Sequence, residues 1–259
     1  MQRVKAKKGL GQHFLTDKNI ARKIVDSLLP GEFNTLIEIG PGTGVLTGFL
    51  LEKFPVNFLA IELDKESIEY LKNTYPDHTE KFIYGDFLKF SFDQYKSPIA
   101  IIGNFPYYIS SQIFFRVLEN RTLVNQVVCM IQKEVAERIA SKCGNKTYGI
   151  LSVFLQAYFK IEYLFTVNEK CFSPPPKVKS AVIRLTRNST NEIECDPDLF
   201  IKVVKTTFGQ RRKVLSNSLK SGFDNIPVNS ELLSKRPEQL NVKQFVELTN
   251  LVKEANSKI

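Results

Sequence analysis

Three glycines in five residues constrain this chain more than any other feature. Thr35-Leu36-Ile37-Glu38-Ile39 is an apolar, branched run that enters Gly40-Pro41-Gly42-Thr43-Gly44. Val45, Leu46, Phe49 and Leu50 follow at helical spacing. Strand, glycine turn and helix in that order describe the opening of a parallel α/β sheet. The glycines allow close backbone approach to a ligand, and the helix start offers unpaired N–H groups. A dinucleotide fingerprint needs G-x-G-x-x-G. Here Val45 fills the last position in one register and Thr47 in the other. Glu38, just before the turn, disfavours a pyrophosphate and suits a ligand with a cationic end, an ammonium or a sulfonium. The pattern points to S-adenosylmethionine rather than a nicotinamide cofactor.

Three more strands end in polar residues. Residues 57–64 carry Glu62 near their end, about 20 residues past the glycines, where an acid meets ribose hydroxyls. Asp64 reads as the cap of a helix carrying Ile68 and Leu71. Phe82-Ile83-Tyr84-Gly85-Asp86 ends in an acid able to accept from an adenine amine. Pro98-Ile99-Ala100-Ile101-Ile102 reads as a buried parallel strand and delivers Gly103-Asn104-Phe105-Pro106-Tyr107. Asn104 offers an acceptor and a donor, Pro106 stiffens the turn, and Tyr107 supplies a flat face for a base. Alone, this is also an ordinary strand-to-helix turn. Together with Glu62, Asp86 and the glycine turn it describes a cofactor pocket beside a pocket for a planar ring with an exocyclic amine.

Ahead of the sheet, Gly9-Leu10-Gly11-Gln12-His13-Phe14-Leu15 reads as an arm able to close over a ligand. Thr16 or Asp17 caps a helix with Ile20, Ile24 and Leu28 on one face, ended by Pro30-Gly31. Beyond Tyr107 the pattern predicts helices around 113–117, 134–139 (a surface helix) and 151–158. It predicts strands over 125–131, 162–167 and 180–185. Cys171-Phe172-Ser173-Pro174-Pro175-Pro176-Lys177 reads as a stiff extended loop. Its Phe172 is either a second stacking face or a core residue. Residues 188–197 are polar and irregular, and helical periodicity follows through Leu199, Val203, Phe208, Val242 and Phe245. The expected organisation is a sheet domain over 1–190 and a small all-α domain over 191–259.

Lys plus Arg number 36 against 27 Asp plus Glu, a net charge of +9 that favours a polyanionic partner. The surplus is clustered. Arg3, Lys5, Lys7 and Lys8 open the chain, and Lys202, Lys205, Arg211, Arg212, Lys213 and Lys220 lie in a segment without an acidic residue. Cys129, Cys143, Cys171 and Cys195 form no C-x-x-C pair, which argues against a zinc site and for reduced thiols in a cytosolic protein. No apolar run reaches the roughly 18 residues of a membrane span. The basic start has no apolar h-region behind it, so it does not read as a secretory signal.

With these stretches in view, the chain resembles the ribosomal RNA adenine dimethyltransferases that modify small-subunit rRNA. The resemblance runs through Lys8–Leu15, Glu38–Gly44, Glu62, Gly85-Asp86, Asn104–Tyr107 and Phe172–Val178. The Asn-x-Pro-Tyr element is specific to amino-methylating enzymes; the glycine turn is generic. The resemblance implies a Rossmann-like methyltransferase sheet with a helical C-terminal domain. It implies S-adenosylmethionine contacts at His13, Leu15, Gly40, Glu62, Asp86 and Asn104. It places the target adenine at Asn104, Tyr107 and Phe172, with Phe105 lending its backbone carbonyl and Pro106 the rigid turn. This chain has His13 where the family usually has Asn, and Phe105 where it usually has Leu. The implied reaction puts two methyl groups on N6 of each of two adjacent adenosines near the 3′ end of small-subunit rRNA. Lys7, Lys8, Arg211, Arg212 and Lys213 are the expected RNA contacts, and a cytoplasmic monomer is the expected state.

Three other readings compete. The macrolide-resistance methyltransferases share the core but act on large-subunit rRNA. Phe208-Gly209-Gln210-Arg211-Arg212-Lys213 and Arg236-Pro237-Glu238-Gln239-Leu240 look like the small-subunit branch. A small-molecule methyltransferase or dehydrogenase leaves the basic clusters unexplained. A ribosome-assembly factor that keeps the fold without catalysis would share every motif.

Overall fold

The computed structural model describes residues 4–54, 57–95 and 98–257; Arg3, one of the expected basic cluster, lies outside them. In chain order the elements are β1 (Phe14–Leu15), α1 (Lys18–Asp26), β2 (Thr35–Ile39), α2 (Thr47–Lys53), β3 (Asn57–Glu62), α3 (Lys65–Thr74) and β4 (Phe82–Tyr84). Then come β5 (Ile99–Asn104), α4 (Ser110–Glu119), β6 (Val124–Gln132), α5 (Lys133–Ala140), α6 (Ile150–Tyr158), β7 (Phe159–Val167), β8 (Phe172–Ser173) and β9 (Ser180–Arg187). Helices α7 (Pro197–Gly209), α8 (Leu215–Ser218) and α9 (Val242–Asn256) complete the set.

The main sheet has the order β4-β3-β2-β5-β6-β9-β7. β2 pairs in parallel with β3 on one side and β5 on the other, β3 with β4, and β5 with β6. β9 runs antiparallel to β6. The strand order therefore reverses at β2, and the crevice beyond the carboxyl ends of β2 and β5 is the switch point where ligands bind in such sheets. β2 is buried along its whole length, as a strand covered on both faces must be. This is the expected α/β, Rossmann-like fold.

Helix α1 shows how the local sequence sets an element. Asp17 accepts from the N–H groups of Asn19 and Ile20, a cap that contributes about 1 kcal/mol. Ala21, Ile24 and Val25 then bury one face. Asp64 caps α3 in the same way by accepting from Glu66 N–H. The amphipathic helix expected over 134–139 forms, with Ala136 and Ile139 buried on one face.

The chain separates into two compact units, 1–136 with 160–187, and 137–159 with 188–259. A single cut at 190 misses the second unit's first segment. Within that unit the rings of Phe154 on α6 and Phe200 on α7 lie 6.0 Å apart, and Phe208 stacks on Phe245 of α9 at 5.9 Å. Such contacts join segments far apart in sequence, which periodicity does not reveal. Among the described residues no helix is long and apolar enough to cross a membrane.

Candidate active site

The strand ends and the arm together line one cavity of the first unit, about 970 Å³ including its open mouth. Gly40, Gly42 and Gly44 have φ of +64°, +56° and +77°, values that L side chains rarely adopt, so the turn after β2 needs glycine at each. A Cβ at Gly42 would meet the Phe14 ring at 2.9 Å, and one at Gly11 would meet the Tyr108 ring at 3.0 Å. These close approaches seat the arm on the glycine turn and on the 3₁₀ turn after Pro106.

Glu38 is buried, with Thr47 Oγ1 donating to its Oε2 at 2.7 Å. Burial, with a further push from the Glu62 charge and against the Thr47 bond, raises its carboxyl from 4.5 to about 8. Glu62 accepts from Gly42 N–H at 3.0 Å through Oε2 and from Asp64 N–H at 2.9 Å through Oε1. Burial raises Glu62 as well, and the backbone donors counter part of that rise. Each oxygen keeps a lone pair for a ligand hydroxyl. Asp86 lines the cavity and accepts from Leu88 N–H at 2.9 Å through Oδ1.

Asn104 sits at the end of β5, opposite Met130 of β6. Its neighbour Gly103 faces Ile39 so closely that a Cβ would lie 2.4 Å from the Ile39 carbonyl oxygen. Glycine there lets β5 approach β2 and sets the height at which Asn104 leaves the sheet. The Asn104 Nδ2 donates to the His13 carbonyl at 2.9 Å, which leaves Oδ1 as the acceptor. Phe105 N–H donates to Met130 O at 3.0 Å, and its ring is buried against Phe114. Pro106 and Tyr107 line the cavity. The Tyr107 hydroxyl shares a 2.5 Å hydrogen bond with Ser180 Oγ, and burial raises its pKa.

His13, Leu15, Gly40, Glu62, Asp86, Asn104, Phe105, Pro106 and Tyr107 thus share one cavity. Phe172 does not join them. It forms β8, which pairs antiparallel with β1 so that Leu15 faces Phe172, and its ring is 4% exposed in the core with Leu15 and Ile24. Two hydrogen bonds to the residue before it help hold this strand against the arm: Thr16 N–H and Oγ1 both donate to Cys171 O, at 2.8 and 3.0 Å. The extended loop is there, and its aromatic packs in the core, outside the residues that line the cavity. Lys7, an expected RNA contact, is exposed and also paired within the chain. Its ammonium binds Asp64 and lies 3.4 Å from Glu66, while Gln12 Nε2 donates to Asp64 at 3.2 Å. Burial alone would raise Asp64, yet the bonds from Lys7, Gln12 and Ser67 hold it below the usual range. Lys8, Arg212 and Lys213 are exposed, and Arg211 lies 3.7 Å from Glu238 within the second unit.

Sequence reasoning missed Thr47, Ser180 and the tight pairing at Gly103. A model of the family described as "Ribosomal RNA adenine dimethylase" matches residues 3–254. The chain belongs to the ribosomal RNA adenine dimethylase family. A relative named ribosomal RNA small subunit methyltransferase A, from Cytophaga hutchinsonii, is 54% identical over 97% of this chain and 99% of its own length. A relative of the same name from Bacteroides fragilis is 52% identical over 98% of this chain and 95% of its own. Among solved structures, a dimethyladenosine transferase from Plasmodium falciparum superposes with a TM-score of 0.77 at 25% identity, covering 94% of this chain and 98% of that one. The 23S rRNA methyltransferase ErmE shares the fold, with a TM-score of 0.64 at 23% identity over 92% of this chain and 99% of its own.

Proposed function

We propose that this chain dimethylates N6 of two adjacent adenosines near the 3′ end of small-subunit rRNA, with S-adenosylmethionine as donor. The observation that carries the reading is the Asn104 amide, held with its oxygen as acceptor at the mouth of a cavity built for a nucleoside. The cavity fits the donor. Glu62 offers oxygens for ribose hydroxyls, Asp86 for an adenine amine, and buried Glu38 stands ready for a cationic end. When bound, S-adenosylmethionine supplies a methyl group on a sulfonium that leaves as a neutral thioether.

The chain's own residues then have a modest task. The N6 lone pair is delocalised into the adenine ring, so the amine is a poor nucleophile. Asn104 Oδ1 and the Phe105 carbonyl accept its hydrogens and favour a pyramidal nitrogen aimed at the donor. Tyr107 gives the flipped base a face to stack on. The N–H proton departs to water after transfer, so no strong base is needed. Lys8, Arg212 and Lys213 supply phosphate contacts, and the second unit is the rRNA-binding part. The protein acts as a cytoplasmic monomer on the small ribosomal subunit or its precursor.

The test is transfer of labelled methyl from S-adenosylmethionine to small and large subunits taken from cells lacking these modifications, followed by nuclease digestion. Dimethyladenosine in the small subunit alone is expected. Label in the large subunit would place the chain with the resistance enzymes. Binding without label would make it an assembly factor.

A further inference from the structure

Tyr107 is held from two directions. Its hydroxyl is tied to Ser180 Oγ at 2.5 Å, and Ser180 is wholly buried at the start of β9, opposite Gln132. Its ring stacks on the imidazole of His13 with centroids 5.8 Å apart and planes 26° from parallel. His13 is itself fixed. Its Nδ1 lies 2.8 Å from the Pro174 carbonyl, which can only accept, so Nδ1 carries the proton and donates. The His13 carbonyl in turn accepts from Asn104 Nδ2 at 2.9 Å. One arm residue therefore touches the acceptor amide, the stacking ring and the proline loop.

We propose that His13 is a positioning residue for the target adenine: its ring and its bond to Pro174 fix the plane of Tyr107, with Ser180 anchoring the opposite end. This rests on the adenine-methylating reading above and goes beyond a contact to the donor. A closed arm then does two things. It covers the cofactor cavity, and it completes the face on which the base stacks. An arm displaced from Tyr107 leaves that ring free to turn about its Ser180 anchor and releases the Asn104 amide. Small errors in base orientation slow transfer strongly, because the reacting atoms must lie close and in line.

The two contributions of the side chain separate by substitution. His13→Asn keeps an amide donor for Pro174 but loses the ring. His13→Phe keeps a ring for Tyr107 but loses the donor. His13→Ala loses both. With small subunits as substrate and saturating donor, His13→Ala is expected to lower kcat about tenfold or more, with each of the other two variants recovering part of the loss. Ser180→Ala is expected to lower kcat in the same direction. In a Tyr107→Ala background, His13→Ala should cost little more, since it acts through the ring already removed. A His13→Ala enzyme with unchanged kcat and a raised donor KM would overturn the proposal and leave His13 as a donor contact only. Losses that add in full to Tyr107→Ala would also overturn it. Absence of methyl transfer by the unaltered protein would instead defeat the functional reading on which it rests.

Discussion

The Thr47 hydroxyl donates to the Glu38 carboxylate at 2.7 Å, and neither side chain reaches solvent. One hydroxyl is a poor substitute for water, so Glu38 holds its proton up to about pH 8. The unfolded chain releases that proton near 4.5. The raised folded value therefore contributes stability that is fully present below the unfolded value and is lost as pH rises through about 8. Urea denaturation of the ligand-free protein at pH 5 and pH 8.5 should show a fall of a few kcal/mol across this window. Glu38→Gln should flatten it, leaving only the smaller contribution of Glu62, which shifts the same way. Equal slopes in the two proteins would show that Glu38 is ionised when buried.

A cationic donor end reverses that balance. Its binding favours the Glu38 carboxylate, so complex formation near pH 7 should release a proton. Calorimetric titration with S-adenosylmethionine in buffers of different ionisation enthalpy measures this directly. Glu38→Gln should abolish the release and weaken binding, on the order of tenfold. A buffer-independent heat for the unaltered protein would exclude the linkage.

Gly103 links sheet geometry to catalysis. A Cβ there would press on the Ile39 backbone at 2.4 Å, and a backbone oxygen cannot swing aside as a side-chain tip can. Gly103→Ala should cost about 1–3 kcal/mol of stability. It should also lower methyl transfer about 100-fold by moving Asn104. A variant with normal melting and normal rate would show that the β2–β5 pairing has slack.

The salt dependence of rRNA binding should separate the basic residues. Lys7, Arg212 and Lys213 are all exposed, but the Lys7 ammonium is engaged by Asp64 and Glu66. Arg212→Ala and Lys213→Ala should each reduce the slope of log K against log salt by about 1. Lys7→Ala should leave the slope nearly unchanged and speed donor release by loosening the arm. A slope change for Lys7→Ala equal to the others would mean that Lys7 leaves Asp64 for phosphate.

These cases mark what a sequence can disclose. The ends of β3 and β5 were legible because a parallel strand is an apolar run and its polar exit residue, Glu62 or Asn104, stands out, and the end of β2 because three glycines follow it. Asp17 and Asp64 were legible as caps because capping is local. Phe172 was ambiguous, since a stacking aromatic and a core aromatic look alike in a chain. Only the pairing of β1 with β8, between residues far apart in sequence, shows where its ring packs. The same distance hid the Tyr107–Ser180 bond and the union of 137–159 with the C-terminal helices. The Lys7–Asp64 pair was hidden for the same reason, since nothing local in the sequence marks Asp64 as its partner.

The account turns on Asn104 as the acceptor that aligns N6. Single-turnover methyl transfer by Asn104→Ala, with unmethylated small subunits and saturating S-adenosylmethionine, tests it most directly. The expected result is a rate lower by about 100-fold or more, with unfolding and small-subunit affinity close to those of the unaltered protein. An undiminished rate would contradict the central claim, and the Asn104–Tyr107 turn would then be only the end of a strand.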